Sequence, residues 1–502
     1  MNAVLWLALA FSSEAMPQPG EACRPCHAAQ VDACRKTGMG RSIDLQPAPS
    51  SATFYHRRSN RHYEISRKRI VRYQSDPQGR RVKVLEKSIS FAIGSGNHAI
   101  TFIHQTPQGR LLELPLSWYR QLSGYAMSPG YDSHDHPDFR REISGSCLFC
   151  HSAGPKPAPI DCHRCHGPVE AHLQAPAKGN ILNPVRLEPR RQLEVCLQCH
   201  LETNSRGIQD SVRRPGRDVW SFRPGEPLSS YKLYFDRADS LETDRFEINH
   251  AGYRLLQSRC YQASRDRMVC TTCHDPHTAR VREDSCTQCH RVAHQSGDAR
   301  AGQSCEPCHM PRRVPVDAVH TVMTDHKIVR RPRFTNPKEE DHRPYTGPVV
   351  PYYEGVDPLS LALAQVRDAT RETEALYRRV LLREPDSVPL LAALGKILLR
   401  LERPQEAVPV LQKAVQLDPM HTDSRTYLAI AHAVQGGHKE AIAQLRRAVA
   451  DNPDHSLAWI NLGVTLEAAG DRKGAWEAYT EAIRLQPDSA EAGRRRAQLT
   501  YK

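Results

Sequence analysis

Residues 147–166 read Cys147-Leu-Phe-Cys150-His151-Ser-Ala-Gly-Pro-Lys-Pro-Ala-Pro-Ile-Asp-Cys162-His163-Arg-Cys165-His166, so Cys-x-x-Cys-His occurs twice within twenty positions. The same spacing recurs at Cys23, Cys26 and His27; at Cys196, Cys199 and His200; at Cys270, Cys273 and His274; at Cys286, Cys289 and His290; and at Cys305, Cys308 and His309. Fourteen of the sixteen cysteines are used this way. One Cys-x-x-Cys is equally a zinc half-site, a redox dithiol or a disulfide. Seven copies with His after every second Cys are not: zinc ribbons pair their half-sites without that His, and a thioredoxin-like dithiol occurs once. The spacing fits c-type haem. Two thiols one turn apart add to the two vinyl groups of a porphyrin, and the adjacent imidazole reaches the iron as proximal ligand.

Composition points the same way. Hydrophobic residues are 39% of the chain and aromatics 6%, below the near-half apolar usage of an ordinary globular protein, and seven haem macrocycles would supply apolar mass. The length of 502 residues allows two to four domains. The formal charge of +13 suggests nucleic acid or a membrane surface. Seven haems with ionised propionates would bring it to about +6 oxidised and about −1 reduced, and no basic patch interleaved with aromatics accompanies it. No nucleic-acid partner is therefore expected.

Residues 1–15 carry an apolar run followed by Ser13-Glu14-Ala15, a small-x-small cleavage pattern without a basic n-region. A signal peptide is expected, with the mature protein in the periplasm or on the outer surface and no transmembrane span. Cys34 and Cys260 remain outside the motifs, either paired with each other or buried as free thiols.

Two further patterns set the domains. Residues 52–120 lack Cys and read as two β-hairpins, Tyr63 to Tyr73 with Val82 to Ile93 around Asp76-Pro-Gln-Gly79, and Ile100 to His104 with Leu111 to Trp118 around Thr106-Pro-Gln-Gly109. After Leu359 the chain turns rich in Ala, Leu, Glu and Gln. Pro385, Pro419, Pro453 and Pro487 are 34 residues apart, as are Ala407, Ala441 and Ala475, and Gly395, Ala429 and Gly463. That is the tetratricopeptide period. The expected organisation is multidomain: a haem-packed, mostly irregular and α-helical seven-haem cytochrome domain at 20–330 with a small β-hairpin insert, a Pro-rich linker at 331–354, and an all-α tetratricopeptide-repeat solenoid at 355–502 that docks a protein or peptide. With no haem motif beyond His309, the two halves are expected to be separable.

Several motifs carry a family resemblance. Cys270-Thr-Thr-Cys273-His274-Asp275-Pro276-His277, His166-Gly167-Pro168 with His172, and Cys305-Glu-Pro-Cys308-His309-Met310-Pro311 resemble elements of multihaem cytochromes related to the tetrahaem partner of hydroxylamine oxidoreductase. Over nearly its full length the chain is also similar to a bacterial group in which such a domain is fused to tetratricopeptide repeats, through Gly94-Ser-Gly-Asn-His98, Met127-Ser-Pro-Gly-Tyr131 and Met323-Thr-Asp-His326. The resemblance implies bis-histidine haems. His172 and His277 match the distal-ligand positions; His98, His104 and His326 follow, lying in polar loop contexts, with His62, His320, His56 and His250 in reserve. Relatives carry a histidine some twelve residues after the first motif where this chain reads Thr37-Gly38-Met39-Gly40, so Met39 stands as a thioether ligand, or that haem is open.

These features describe an exported electron carrier that passes electrons along closely spaced haems between a protein redox donor and acceptor. The alternative is an oxidoreductase acting on a small nitrogen or sulfur compound at one open haem. No motif has Lys in place of the proximal His, as the pentahaem nitrite reductases do, and spare histidines outnumber the irons, so no catalytic residue is assigned.

Overall fold

The computed structural model describes residues 20–75, 79–201, 211–214, 216–265, 267–290, 304–330, 336, 337, 339, 344–366, 368–486 and 489–500. The expected signal peptide, Pro487 and the tip of the first hairpin lie outside them.

Between the first and second motifs the described residues form nine strands in two antiparallel sheets. One sheet has the order β2 (Ala52–His56), β3 (Arg61–Ser66), β4 (Arg69–Ser75), β5 (Arg81–Ser88). The other has β1 (Ile43–Asp44), β6 (Phe91–Ile93), β7 (Ala99–Gln105), β8 (Leu111–Tyr119), β9 (Gly124–Met127). This is more than the two-hairpin insert expected at 52–120. The segment Tyr63 to Tyr73 is two strands, because the chain turns at Arg67-Lys68, a pair with no Gly or Pro to announce it. Pro115 sits inside β8 where the β7–β8 register shifts between Thr101 and Ile103, so its missing N–H falls at a break in the ladder. Ile65, Ile70, Phe102, Leu114 and Leu116 form the core of this region.

The second half is a tetratricopeptide solenoid. Its paired helices are Val388–Arg400 with Pro404–Leu417, Thr422–Val434 with His438–Asp451, and Ser456–Ala468 with Arg472–Leu485, preceded by Arg371–Leu381 and closed by Ala490–Thr500. The 34-residue repeat of small residues has a steric cause. A Cβ on Gly463 would lie 2.5 Å from the Tyr479 ring, and one on Gly395 2.4 Å from Leu411; Ala407, Ala441 and Ala475 are fully buried at the corresponding crossings. His421 and His455 cap helices by accepting from the Ser424 and Ala458 amides.

The halves are not separable beads. Arg72, buried in β4, pairs with Asp138 and donates to the carbonyls of Arg484 (2.7 Å) and Leu485 (3.3 Å) at the end of the last repeat. Arg484 donates back to Val84 (2.8 Å), Arg140 bonds Ser456 (2.7 Å), Arg110 bonds Thr422 (3.1 Å), and Lys87 pairs with Asp454. Leu485 and Trp459 pack into the β core. The expected linker is also part of the body. Val349–Pro351 pairs antiparallel with Lys232–Arg237, and Val349 and Tyr353 join Leu197, Tyr234, Leu363 and Val380 in one apolar cluster. Composition marked this stretch as Pro-rich, whereas an open strand edge at Phe235 decided its structure.

Candidate haem centres

Each motif forms a single turn. The amides of His166, His200, His274, His290 and His309 bond the carbonyl of their own motif's first Cys at 2.9 to 3.2 Å, which brings the two thiols onto one face and starts the histidine from the same turn. Helix Arg24–Arg35 breaks at His27 (φ −128°, ψ 36°), which turns that imidazole out of the helical path.

The proximal histidines are met by others from far along the chain. His27 faces His172 with ring centres 6.4 Å apart and planes 25° apart. His166 faces His277 at 6.1 Å and 12°, and His274 faces His326 at 6.2 Å and 28°. Two imidazoles on opposite sides of one metal, with bonds of about 2 Å and each ring centre ~1.2 Å behind its nitrogen, stand roughly 6.3 Å apart. Three pairs, each one motif histidine and one non-motif histidine, have that separation.

Tautomers are fixed in the same sense. Nδ1 of His166 donates to Leu182 O (2.8 Å), that of His309 to Val329 O (2.8 Å), that of His172 to Ala177 O (3.1 Å) and that of His326 to Thr324 O (3.1 Å). A carbonyl only accepts, so Nδ1 carries the proton and Nε2 presents a lone pair. Burial lowers the pKa of His166, His274 and His326 and keeps these rings neutral. His200 sits among His326, His151 and His274, where the surrounding protein pushes its pKa down to about 4 although the residue itself is exposed.

The attachment turns touch. The thiol of Cys162 lies beside that of Cys23, Cys196 beside Cys270, and Cys286 beside Cys305, all six free. The inner residues of three motifs interlock: Arg164 donates to Phe149 O (2.7 Å) and covers its ring, while Gln198 donates to Arg164 O (3.1 Å). Neighbourhood therefore runs from the first motif to the third, on to the fourth and fifth, and from the sixth to the seventh, with the second beside the third and fourth. Chain order would have given a different sequence. Among the described residues from 259 to 312, which hold three motifs, not one is buried, so this stretch has no side-chain core of its own. Among the described residues no group of three or more His, Cys, Asp or Glu side chains is placed to hold a metal ion by itself; a porphyrin, which supplies four iron ligands itself, asks the protein for two. The residues present fit haem.

Other candidates are placed differently. The ring opposite His27 is His172; Met39, expected as a thioether ligand or else beside an open haem, lies in a 3-10 turn at Met39–Arg41. Among the described residues His98 and His104 stand in no such ring pair. His98 bonds the Val322 backbone and His104 donates to Ser88 O on the β sheet. His56 spends both nitrogens, on Ser59 (2.7 Å) and Asp132 (3.0 Å), and His320 approaches the same carboxylate (3.4 Å). Cys34 lies near Asp161 and Cys162, and Cys260 near Cys273 and Cys289, and both are free thiols. Buried Arg254, Arg313 and Asp325, beside His326, were not singled out in the sequence because nothing local marks a charged residue for burial.

A tetratricopeptide repeat family model matches residues 360–421 and 427–492. Protein FlbA of Caulobacter vibrioides is 29% identical over 139 residues, 28% of this chain and 23% of FlbA. Human protein O-mannosyl-transferase TMTC3 is 31% identical over 103 residues, 20% of this chain and 11% of the relative. The chain thus spans less than a quarter of these curated relatives. Among solved structures, MamA is 28% identical with a TM-score of 0.25, covering 26% of this chain and 75% of MamA. YrrB, described as a tetratricopeptide protein with an unusual peptide-binding site, is 31% identical with a TM-score of 0.24, covering 25% and 64%. Residues 360–492, about a quarter of the chain, are therefore a tetratricopeptide-repeat region.

Proposed function

We propose that this protein is an exported seven-haem c-type cytochrome that relays electrons between protein redox partners, one of them docked by the repeat solenoid. The observation that carries the reading is the set of three imidazole pairs, His27 with His172, His166 with His277 and His274 with His326, at 6.1 to 6.4 Å. In each, bound haem would supply a one-electron iron centre. The protein's part would be to hold the two rings at that separation, with the Nδ1 bonds of His166, His172 and His326 leaving Nε2 free as a ligand, an arrangement that would saturate the iron and favour outer-sphere transfer over substrate binding. Contacts between motifs support a continuous relay. The solenoid, fixed to the β region through Arg72 and Arg484, would hold a docked partner at a set position relative to the haems. Export is the matching location, since haem c is attached on the oxidising side of a bacterial membrane; no helix among the described residues is long and apolar enough to cross one.

The test is electron paramagnetic resonance of the matured, oxidised protein with a reductive titration. Low-spin signals throughout, one electron taken up per haem and little carbon monoxide binding are expected. A stoichiometric high-spin haem that binds nitrite, hydroxylamine or carbon monoxide would favour the oxidoreductase.

A further inference from the structure

Beside His326 lies a buried charge cluster that no motif announces. Asp325 and Arg254 are 0% and 1% exposed. Arg254 grips the carboxylate with two nitrogens, Nε to Oδ1 at 2.9 Å and Nη2 to Oδ2 at 2.6 Å, and Arg313 adds a bond to Oδ2 at 2.8 Å. The Lys327 amide donates to Oδ1 (2.9 Å), and the Asp325 amide donates to Pro311 O (3.0 Å). Asp244 takes the remaining reach of the cations, from Arg254 Nη1 (2.8 Å), Lys327 (3.2 Å) and Arg313 (3.2 Å). Side chain and backbone of Asp325 are both fixed, one residue before the imidazole that faces His274.

The two guanidinium partners of this carboxylate come from two motif regions. Arg313 is in strand Arg312–Arg313, which follows His309 and pairs with Met323–Thr324. Arg254 is in helix Ala251–Leu256, whose Gly252 amide bonds His200 O at 2.9 Å. A buried ion cluster of this kind is weak evidence of stability, because apolar residues of equal volume often stabilise as well. What it does supply is directional: a bidentate guanidinium fixes the plane of the carboxylate and hence the course of the chain through it.

We propose that Asp325, clamped by Arg254 and Arg313, is the positioning residue that holds His326 opposite His274. The sixth ligand of the fifth-motif haem is thereby tied to the segments leaving the fourth and seventh motifs. This inference rests on the haem reading above, and the experiment separates the two.

Full-length, haem-matured protein carrying Asp325→Asn is compared with the unaltered chain and with His326→Gly, by intact mass and electron paramagnetic resonance. An amide cannot satisfy both guanidinium groups, so Asp325→Asn should keep all seven haems while one passes from low spin to high spin. His326→Gly should show the same signature, and added imidazole should return both to low spin. If Asp325→Asn does not mature, Arg313→Gln carries the test with the same expected signature. Seven haems with an unchanged low-spin spectrum would overturn the positioning role and leave the haem reading standing. Conversion of several haems at once would overturn it too, by assigning Asp325 a general structural role. Absence of haem from the unaltered chain removes the haem reading itself.

Discussion

His277 and His166 face each other across 6.1 Å with their ring planes 12° apart, although His166 belongs to the third motif and His277 follows the fifth. The pairing crosses motifs, as do those of His172 with His27 and His326 with His274. Haem uptake at one motif would thus fix a segment that belongs to another.

Replacing His277 should act on the third-motif haem, not on the fifth, whose motif it follows. His277→Met is expected to raise one reduction potential, since Met/His ligation raises E°′, and His277→Ala to produce one high-spin haem. Redox titration of the variants checks this, and a shift confined to the fifth-motif haem would contradict the pairing.

Gly463→Ala tests the solenoid packing. Helix propensity alone would make the change stabilising by about 1 kcal/mol, but the new Cβ meets the Tyr479 ring at 2.5 Å. Overpacking of about 1–3 kcal/mol is expected to win, so thermal unfolding followed by circular dichroism should show a lower midpoint.

Arg72→Met should loosen the solenoid from the β region. It removes the partner of buried Asp138 and the donor to Arg484 and Leu485, a loss of about 3–5 kcal/mol for a broken buried pair. Limited proteolysis should then cut more readily at the end of helix Arg472–Leu485. A chain ending near Val350 should lose stability in the β region for the same reason, by giving up Leu485, Trp459 and the acceptors of Arg72.

Acid sensitivity should trace in part to His136. Burial pushes its pKa down to about 3, and its Nδ1 accepts from the Asp138 amide at 3.1 Å. The unfolded chain takes up this proton near pH 6.5 and the folded one does not, so stability is full above that pH and falls as pH drops toward 3, by about 4–5 kcal/mol at most. Denaturant midpoints of His136→Gln measured across this range should fall less steeply.

Local patterns were readable: Cys-x-x-Cys-His is a one-turn feature, and the 34-residue recurrence of Gly395, Ala429 and Gly463 reflects a crossing that repeats with the chain. Long-range geometry was not readable. Nothing near Met39 says that His172, more than a hundred residues on, faces His27, and nothing near Arg72 says that its acceptors are backbone carbonyls of the last repeat. The β region was undersized for a related reason. Its turn at Arg67-Lys68 lacks the residues that usually mark one, and strands β1 and β9 are defined by partners, not by their own pattern.

The central claim is that all seven motifs carry haem. Intact mass of the chain expressed in a host with a haem-c attachment system, read with pyridine haemochrome absorbance, tests it most directly. The expected result is a covalent gain of seven haems, one for each motif. A fully matured chain with five or fewer covalent haems, or with zinc on its cysteines instead, would contradict the account.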